Sequence, residues 1–359
     1  MFRRQFLKSL PALAALTAVP WRFDFSGSKV AIEDLEVCDI HLHLLALSES
    51  NGCYVNPKFR RSLVYYLVNL FTDLPSSGSD EERDRQYVEN LDGLLDTPFK
   101  RHCAILLAMD GVYDSSGELD LNKTPFLISN DYLFQVCSKN QQMLYPGASV
   151  NPYRRDALDE LERVKELGAV LIKWIPNSQG IDPADKRILP FYRRMSELGL
   201  PLLTHAAEEH AVPVVDQSFG DPNRLYRPLE EGVKVIAAHS AGDGVSFKYP
   251  YFARFLEMLE LYPNLFGDIS ALTLGHMTGY LRHFLEHPHL FERLYYGSDF
   301  PLQFFPAVSP FYFLGELSTK EAWRIQQIEN ALEQNVITLH ELGVPEACLS
   351  RGFDLIPKE

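Results

Sequence analysis

A closed (β/α)8, or TIM, barrel of the α/β class with a long insertion after its first strand is the fold this sequence predicts, on three observations. Short runs rich in β-branched and aliphatic residues recur eight times, helix-like segments lie between them, and polar residues repeatedly stop the runs. Eight strand-helix units over roughly 300 residues is the count for such a barrel.

The runs are Val37 to His41, Cys103 to Ala108, Leu144 to Val150, Val170 to Trp174, Pro201 to His205, Lys234 to His239, Leu265 to Ile269 and Leu294 to Ser298. Continuous apolar runs of this length suit parallel strands covered on both faces. Between them, "RRDALDELERVKELG" places Leu158, Leu161 and Val164 at three-residue spacing with Gly168 as its C-cap, and "LPFYRRMSELGL" ends at Gly199.

The connection from Leu44 to Lys100 is different. It leaves the first strand on the face where barrel catalytic groups collect. It carries an apolar helix-like segment, "FRRSLVYYLVNLFTDL", then "SSGSDEERDRQ", read as an exposed link, and then a second helical pattern. The expected organisation is an N-terminal signal over 1–28 and one barrel over 29–359, with 44–100 as a lid-like insertion roofing the pocket. Tyr54, Tyr65 and Tyr66 in that insertion are read as core packing rather than pocket wall.

Composition narrows the function. A chain of 359 residues with 46% hydrophobic content buries a large core, and a formal net charge of -14 argues against a nucleic-acid partner, because phosphate binding needs clustered Lys and Arg. Five scattered cysteines form neither a disulfide framework nor CxxC metal pairs, and Cys38 and Cys103 lie inside apolar runs as buried thiols.

The N-terminus, "MFRRQFLKSLPALAALTAVP", has an apolar run from Leu10 to Val19 that is too short to span a bilayer stably. It resembles a bacterial twin-arginine export signal, matched at Arg3, Arg4, Phe6, Leu7 and Lys8. Phe2 stands where Ser or Thr is usual, and no small-x-small site precedes Trp21. The resemblance implies the twin-arginine machinery as a partner and export to the periplasm, or a membrane tether if the signal stays uncleaved.

The first run ends in "LEVCDIHLHLLA". On a strand, residues i and i+2 share a face, so His41 and His43 point together while Leu42 points away. Two neutral nitrogens aimed at one point suit a metal. In a barrel the C-terminal strand ends carry the chemistry, and there the fifth run stops at His205, the sixth at His239 and the eighth at Asp299, with Lys173 near the end of the fourth and Asp268 at the end of the seventh.

At these residues the chain resembles the amidohydrolase superfamily of metal-dependent hydrolases, more closely its mononuclear branch that also contains decarboxylases of aromatic and enol acids. The likeness runs from about Leu35 to about Asn330. It rests on the HxH of His41 and His43, "PNSQGIDP" after the Lys173 strand, the lone histidines His205 and His239, and "YGSDFP" around Asp299. The resemblance implies one divalent metal held by His41, His43, His205 and Asp299, with a position left for water. Zn²⁺ suits that set, and Mn²⁺ or Fe²⁺ also fit it. It further implies His239 as an unligated histidine on the attacking water or the substrate, and Asp299 as a proton shuttle besides a ligand.

In binuclear relatives a lysine placed like Lys173 is carbamylated and bridges two metals; here an ammonium that orients a substrate carboxylate or a neighbouring acid is expected instead. The expected reaction is hydrolysis of a C-N or C-O bond in an amide, cyclic amide or lactone by metal-activated water. The alternative is non-oxidative decarboxylation of an acidic substrate, which two cations beside the metal would favour; Lys173, Arg224 and Arg227 are the candidates. A metal-binding barrel without catalysis is a third reading. The partner is a small-molecule substrate, and a homo-oligomer is a fair expectation from similar proteins.

Other residues carry less. Asp110 and Asp268 end strands, where acids also cap the following helix. His276, in the loop after strand seven, is placed to reach substrate. His283, His287 and His289 read as solvated surface, and Arg224 with Arg227 as an ordinary surface pair.

Overall fold

The computed structural model describes residues 30–357, apart from 64, 67–68, 70–76, 243–249 and 303–305, so the expected N-terminal signal lies outside the described residues. Eight strands form one parallel sheet in chain order: β1 (Glu36–His43), β2 (Arg101–Leu107), β3 (Leu144–Ala148), β4 (Leu171–Trp174), β5 (Leu202–His205), β6 (Val235–Ala238), β7 (Leu265–Asp268) and β8 (Leu294–Tyr295). Three backbone hydrogen bonds close the sheet between β8 and β1: Ile40 N–H to Tyr296 O (3.0 Å), Asp299 N–H to His41 O (2.8 Å) and His43 N–H to Phe300 O (3.0 Å). Each of the eight predicted runs overlaps a barrel strand, although the first two strands begin before their runs, at Glu36 and Arg101.

Helices lie between successive strands on the outside. Among them are α1 (Asp80–Leu95), α2 (Asn130–Lys139), α3 (Ala157–Glu166), α4 (Leu189–Glu197), α5 (Tyr251–Leu261) and α6 (Thr278–Glu286). Gly168 (φ 95°) and Gly199 (φ 61°) follow α3 and α4 in the left-handed conformation that glycine adopts at little cost. The buried stripe of α3 is Ala157, Leu161 and Val164, whereas Leu158 is 43% exposed. That corrects the three-residue spacing: at 3.6 residues per turn, positions 157, 161 and 164 share a face and 158 drifts off it.

Apolar side chains form two layers. One fills the barrel, with Cys38, Ile40, Cys103, Leu203, Ile236 and Tyr295 among its members, and the C-terminal Ile356 joins it. The C-terminal segment packs so closely here that a Cβ on Gly352 would meet Cys38 Sγ at 2.5 Å. The other layer lies between the strands and the helices.

Strand β1 changes parity along its length. Cys38 and Ile40 belong to the inner layer, yet Val37 and Leu42 belong to the outer one, so even and odd positions swap before Leu42. The register slips at that point: Asp39 pairs with Ala104 but Leu42 pairs with Leu106, which puts one extra residue on β1. A bulge of this kind re-aims side chains. It lets one strand fill the interior with residues 38 and 40 and still turn 41 and 43 to the mouth.

The connection after β1 contains a helix where an exposed link was expected. Helix α1 starts at Asp80, inside "SSGSDEERDRQ", and is capped reciprocally: Ser79 Oγ accepts from Glu82 N–H (3.2 Å) and the Glu82 carboxylate accepts from Ser79 N–H (2.8 Å). This S-x-x-E capping box satisfies two end groups that would otherwise lack partners. The dense charge of the stretch hid it. Tyr87, Leu91 and Leu95 form the buried face of α1, and Tyr87 donates its hydroxyl to the carbonyl of His43. A two-stranded antiparallel ribbon, Tyr54–Val55 with Phe126–Leu127, joins this connection to the loop after β2. Among the described residues, no helix is long and apolar enough to cross a membrane.

Candidate metal centre and active-site cavity

The C-terminal strand ends surround a cavity of about 470 Å³, and the connection after β1 supplies much of its outer wall. His41 and His43 enter it from β1, Lys173 from β4, His205 from β5, His239 from the end of β6 and Asp299 from just after β8. His239 (φ 56°) and Asp299 (φ 59°) both hold the left-handed conformation. Non-glycine residues adopt it rarely and at a cost, and such residues cluster at functional sites.

Two groups of three side chains bring ligand atoms within 4.8 Å of one another: His41 with His43 and Asp299, and His41 with His239 and Asp268. In the first, Asp299 Oδ1 lies 3.5 Å from His41 Nε2 and 3.3 Å from His43 Nε2. In the second, Asp268 is an organiser rather than a helix cap. Its carboxylate accepts from His41 Nδ1 (2.8 Å), His239 N–H (2.7 Å), Ser270 N–H (3.1 Å) and the Ser270 hydroxyl. Ser270 Oγ also lies 3.0 Å from His41 Nδ1 and 2.9 Å from His239 Nδ1.

These contacts set the state of His41. Burial pushes its pKa well below the usual histidine range, and the Lys173 charge adds to that push. A neutral ring whose Nδ1–H goes to Asp268 keeps the Nε2 lone pair for the cavity, the tautomer a metal ligand requires. Lys173 Nζ sits 2.7 Å from that nitrogen. Burial lowers the Lys173 pKa to about 8 against the pull of Asp268, Asp299 and Glu209, so a neutral amine is within reach near neutral pH. For Asp299, burial works against ionisation, but His239, His43 and His41 more than offset it and hold the carboxyl well below the ordinary range. Two imidazoles and a carboxylate, one imidazole oriented by a second carboxylate, fit a divalent metal.

His205 lines the same cavity but stands outside both close groups. Its Nε2 lies 3.3 Å from Glu208 O, and its Nδ1 lies 3.8 Å from Glu209 Oε2. Burial lowers its pKa to about 4, with Glu209 opposing. Glu209 and Ser270 are site residues that sequence reasoning missed. "AAEEH" offers two acids beside a histidine without saying which one turns inward, and Ser270 is noticeable only as the second residue beyond Asp268.

The remaining candidates separate cleanly. His276 lines the cavity. Asp110 instead ties loops together, accepting from Gly111 N–H, Asn151 N–H and the Tyr113 hydroxyl. Arg224 donates to Asp182 and Ser218 O, and Arg227 to Ala184 O and the Tyr226 hydroxyl; neither lines the cavity. His283 stacks on His287 (4.4 Å) and His287 meets His289 edge-on (6.3 Å), all three away from the cavity. Tyr65 lines the cavity and Tyr66 is 60% exposed, which corrects the core reading of both, while Tyr54 is half-buried in the ribbon. All five cysteines are buried and free.

The amidohydrolase family profile matches residues 38–317, which span every candidate ligand and all of the barrel strands but the first two residues of β1. The chain belongs to the amidohydrolase family. Its members are metal-dependent enzymes, in keeping with the His and Asp groups at the mouth of this barrel. Among solved structures, an uncharacterised TIM-barrel protein from Bordetella bronchiseptica is 16% identical over 86% of this amidohydrolase and 100% of its own chain, with a TM-score of 0.53. A protein described as a 2-pyrone-4,6-dicarboxylic acid hydrolase from Pseudomonas putida is 15% identical over 90% and 94% of the two chains (TM-score 0.48). A 5-carboxyvanillate decarboxylase variant from Novosphingobium aromaticivorans, solved with manganese, is 14% identical over 88% and 96% (TM-score 0.45). No curated protein matches the chain.

Proposed function

We propose that this amidohydrolase is a hydrolase that cleaves a C-N or C-O bond of an amide, cyclic amide or lactone at a single divalent metal, with Zn²⁺ the best fit to the ligand types. The observation that carries this reading is the set of His41 Nε2, His43 Nε2 and Asp299 Oδ1, with His41 aimed by Asp268. His205, on the same wall, completes the proposed ligands.

When bound, such an ion polarises a substrate carbonyl and lowers the pKa of its water from about 15.7 to about 7. Asp299 keeps its second oxygen to take the proton of the attacking water. His239, whose Nδ1 faces Ser270, presents Nε2 to the cavity and delivers a proton to the leaving nitrogen or oxygen. Leu45, Phe59, Tyr65 and Tyr87, from the connection after β1, wall the cavity and exclude bulk water from this step.

Charge near the proposed metal favours hydrolysis over decarboxylation. Only one strand-end ammonium, Lys173, stands beside the histidines, while Arg224 and Arg227 are bound elsewhere. A decarboxylase holding its substrate by two cations beside the metal finds, among the described residues, Lys173 there, while Arg83 lines the roof of the cavity instead. The test is to load the protein with zinc and follow proton release from lactones, amides and cyclic amides beside CO₂ release from hydroxybenzoates. Proton release that is lost in His239→Ala supports hydrolysis; CO₂ release without it overturns this reading in favour of the decarboxylase.

A further inference from the structure

We propose that the roof of the cavity holds a carboxylate-recognition site, built from Arg83 and Tyr65, that selects substrates with a flat apolar body and an anionic group remote from the metal centre. The inference rests on the hydrolytic reading above and names its substrate class.

The wall supplied by the connection after β1 and by the ribbon is aromatic. Phe59 packs edge-on to Tyr65 (5.8 Å) and stacks on Phe126 (6.0 Å), and all three line the cavity. Such a wall suits a ring, since aromatic faces and edges pair favourably with other flat apolar groups. Set into it is a polar defect: the Tyr65 hydroxyl is buried and has no hydrogen-bond partner. A buried hydroxyl without a partner destabilises the fold, so its counterpart is most simply an occupant of the cavity.

Arg83 lines the cavity beside it, from α1. Its Nη2 donates to Asn69 Oδ1 (2.8 Å), and Asn69 Nδ2 donates to the Tyr65 carbonyl (2.7 Å), so cation and hydroxyl belong to one connected group. A guanidinium presents its donors in a planar fork that matches a carboxylate. Asp80 Oδ1 lies 3.9 Å from Arg83 Nη1, but its carboxylate is held in a fork by the Arg60 guanidinium (2.6 and 3.0 Å). The other acids nearby have their own partners. Asp84 accepts from Leu47 N–H, Ser48 N–H and Asn51, and Glu209 accepts from Ala211 N–H and Val212 N–H.

Arg83 lies one helical turn before Tyr87, whose hydroxyl holds the His43 carbonyl. The guanidinium therefore belongs to the roof, whereas the proposed ligands belong to the strand ends. Lys173 sits at the other end, against His41.

The test is calorimetric titration of the zinc-loaded full chain with 3-(4-carboxyphenyl)propanoate and with its neutral counterpart 3-(4-carbamoylphenyl)propanoate. Each offers one carboxylate to the metal, and they differ only at the remote end. The diacid is expected to bind on the order of tenfold tighter, as a charge-assisted hydrogen bond allows. Arg83→Gln should bring the two ligands to parity, Tyr65→Phe should shrink the difference, and the charge-keeping Arg83→Lys should retain part of it. Equal affinities in the parent, or a preference undiminished in Arg83→Gln, overturn the proposal. No turnover is involved, so a failure to hydrolyse lactones leaves an Arg83-dependent preference standing, whereas hydrolysis without that preference overturns the recognition site alone.

Discussion

In the interior of the barrel, Cys38, Cys103, Leu203, Ile236 and Tyr295 pack as one buried layer, and the C-terminal segment seals them from below. At the C-terminal mouth, the same strands end in histidines, a lysine and carboxylates. Every positive-φ non-glycine residue in the described chain lies there: His239, Ser240, Ala241, Ala271 and Asp299. Burial drives the lower layer together, whereas at the mouth it sets protonation states and raises the cost of every polar group left unpaired. The difference teaches a division of labour within single strands: β1 serves both ends, and its bulge is where it changes role.

That contrast can be broken from the top. His41→Ala should abolish both metal binding and turnover and also lower the melting transition of the metal-free protein, because it takes a partner from the buried Asp268 and Lys173, measured by metal analysis beside a thermal scan. Stoichiometric metal in this variant would remove the ligand assignment. His239→Ala is expected to keep its metal and lose about 10² to 10⁴ in kcat, the usual contribution of a positioned proton-transfer group. A loss of metal instead would make His239 a ligand.

The lower layer is probed by Leu203→Ala, which is buried in the barrel interior. It should cost about 2–5 kcal/mol of unfolding free energy in denaturant titrations, with kcat per folded molecule within about twofold of the parent. A collapse of kcat would mean that the two ends are not separable. The smallest effect sharpens the strain argument. Ala271→Gly, at φ 59°, should raise stability by about 1 kcal/mol, because glycine escapes the left-handed penalty that other residues carry. At a site with ordinary dihedrals the same change would destabilise.

What was legible in the chain follows the same division. Strand-length apolar runs announce themselves because burial on both faces demands them, and His41, His43, Lys173, His205, His239 and Asp299 stood out because polar residues that end such runs need a reason. The parity change in β1 was hidden, since one extra residue leaves the composition of the run unaltered. Asp268 looked like any acid before a helix; its role depends on bonds to His41, His239 and Ser270 that arise only when β1, β6 and β7 lie side by side. Arg83 and Tyr65 were obscured for a further reason. Their stretch reads as a charged link and an apolar helix, and only the fold turns each toward the cavity.

The seam between β8 and β1 has a further consequence. Asp299 donates its backbone N–H to the carbonyl of His41, so two proposed ligands stand on either side of the last bonds that close the barrel. Before those bonds form, the donor atoms of the first and final strands belong to separate parts of an open sheet. A cation held by both strands would act as a latch on ring closure, binding only the completed circle and adding about 2.7 kcal/mol to its stability at a hundredfold excess over Kd. Loading with metal would then report on whether the circle has closed as well as on catalytic competence.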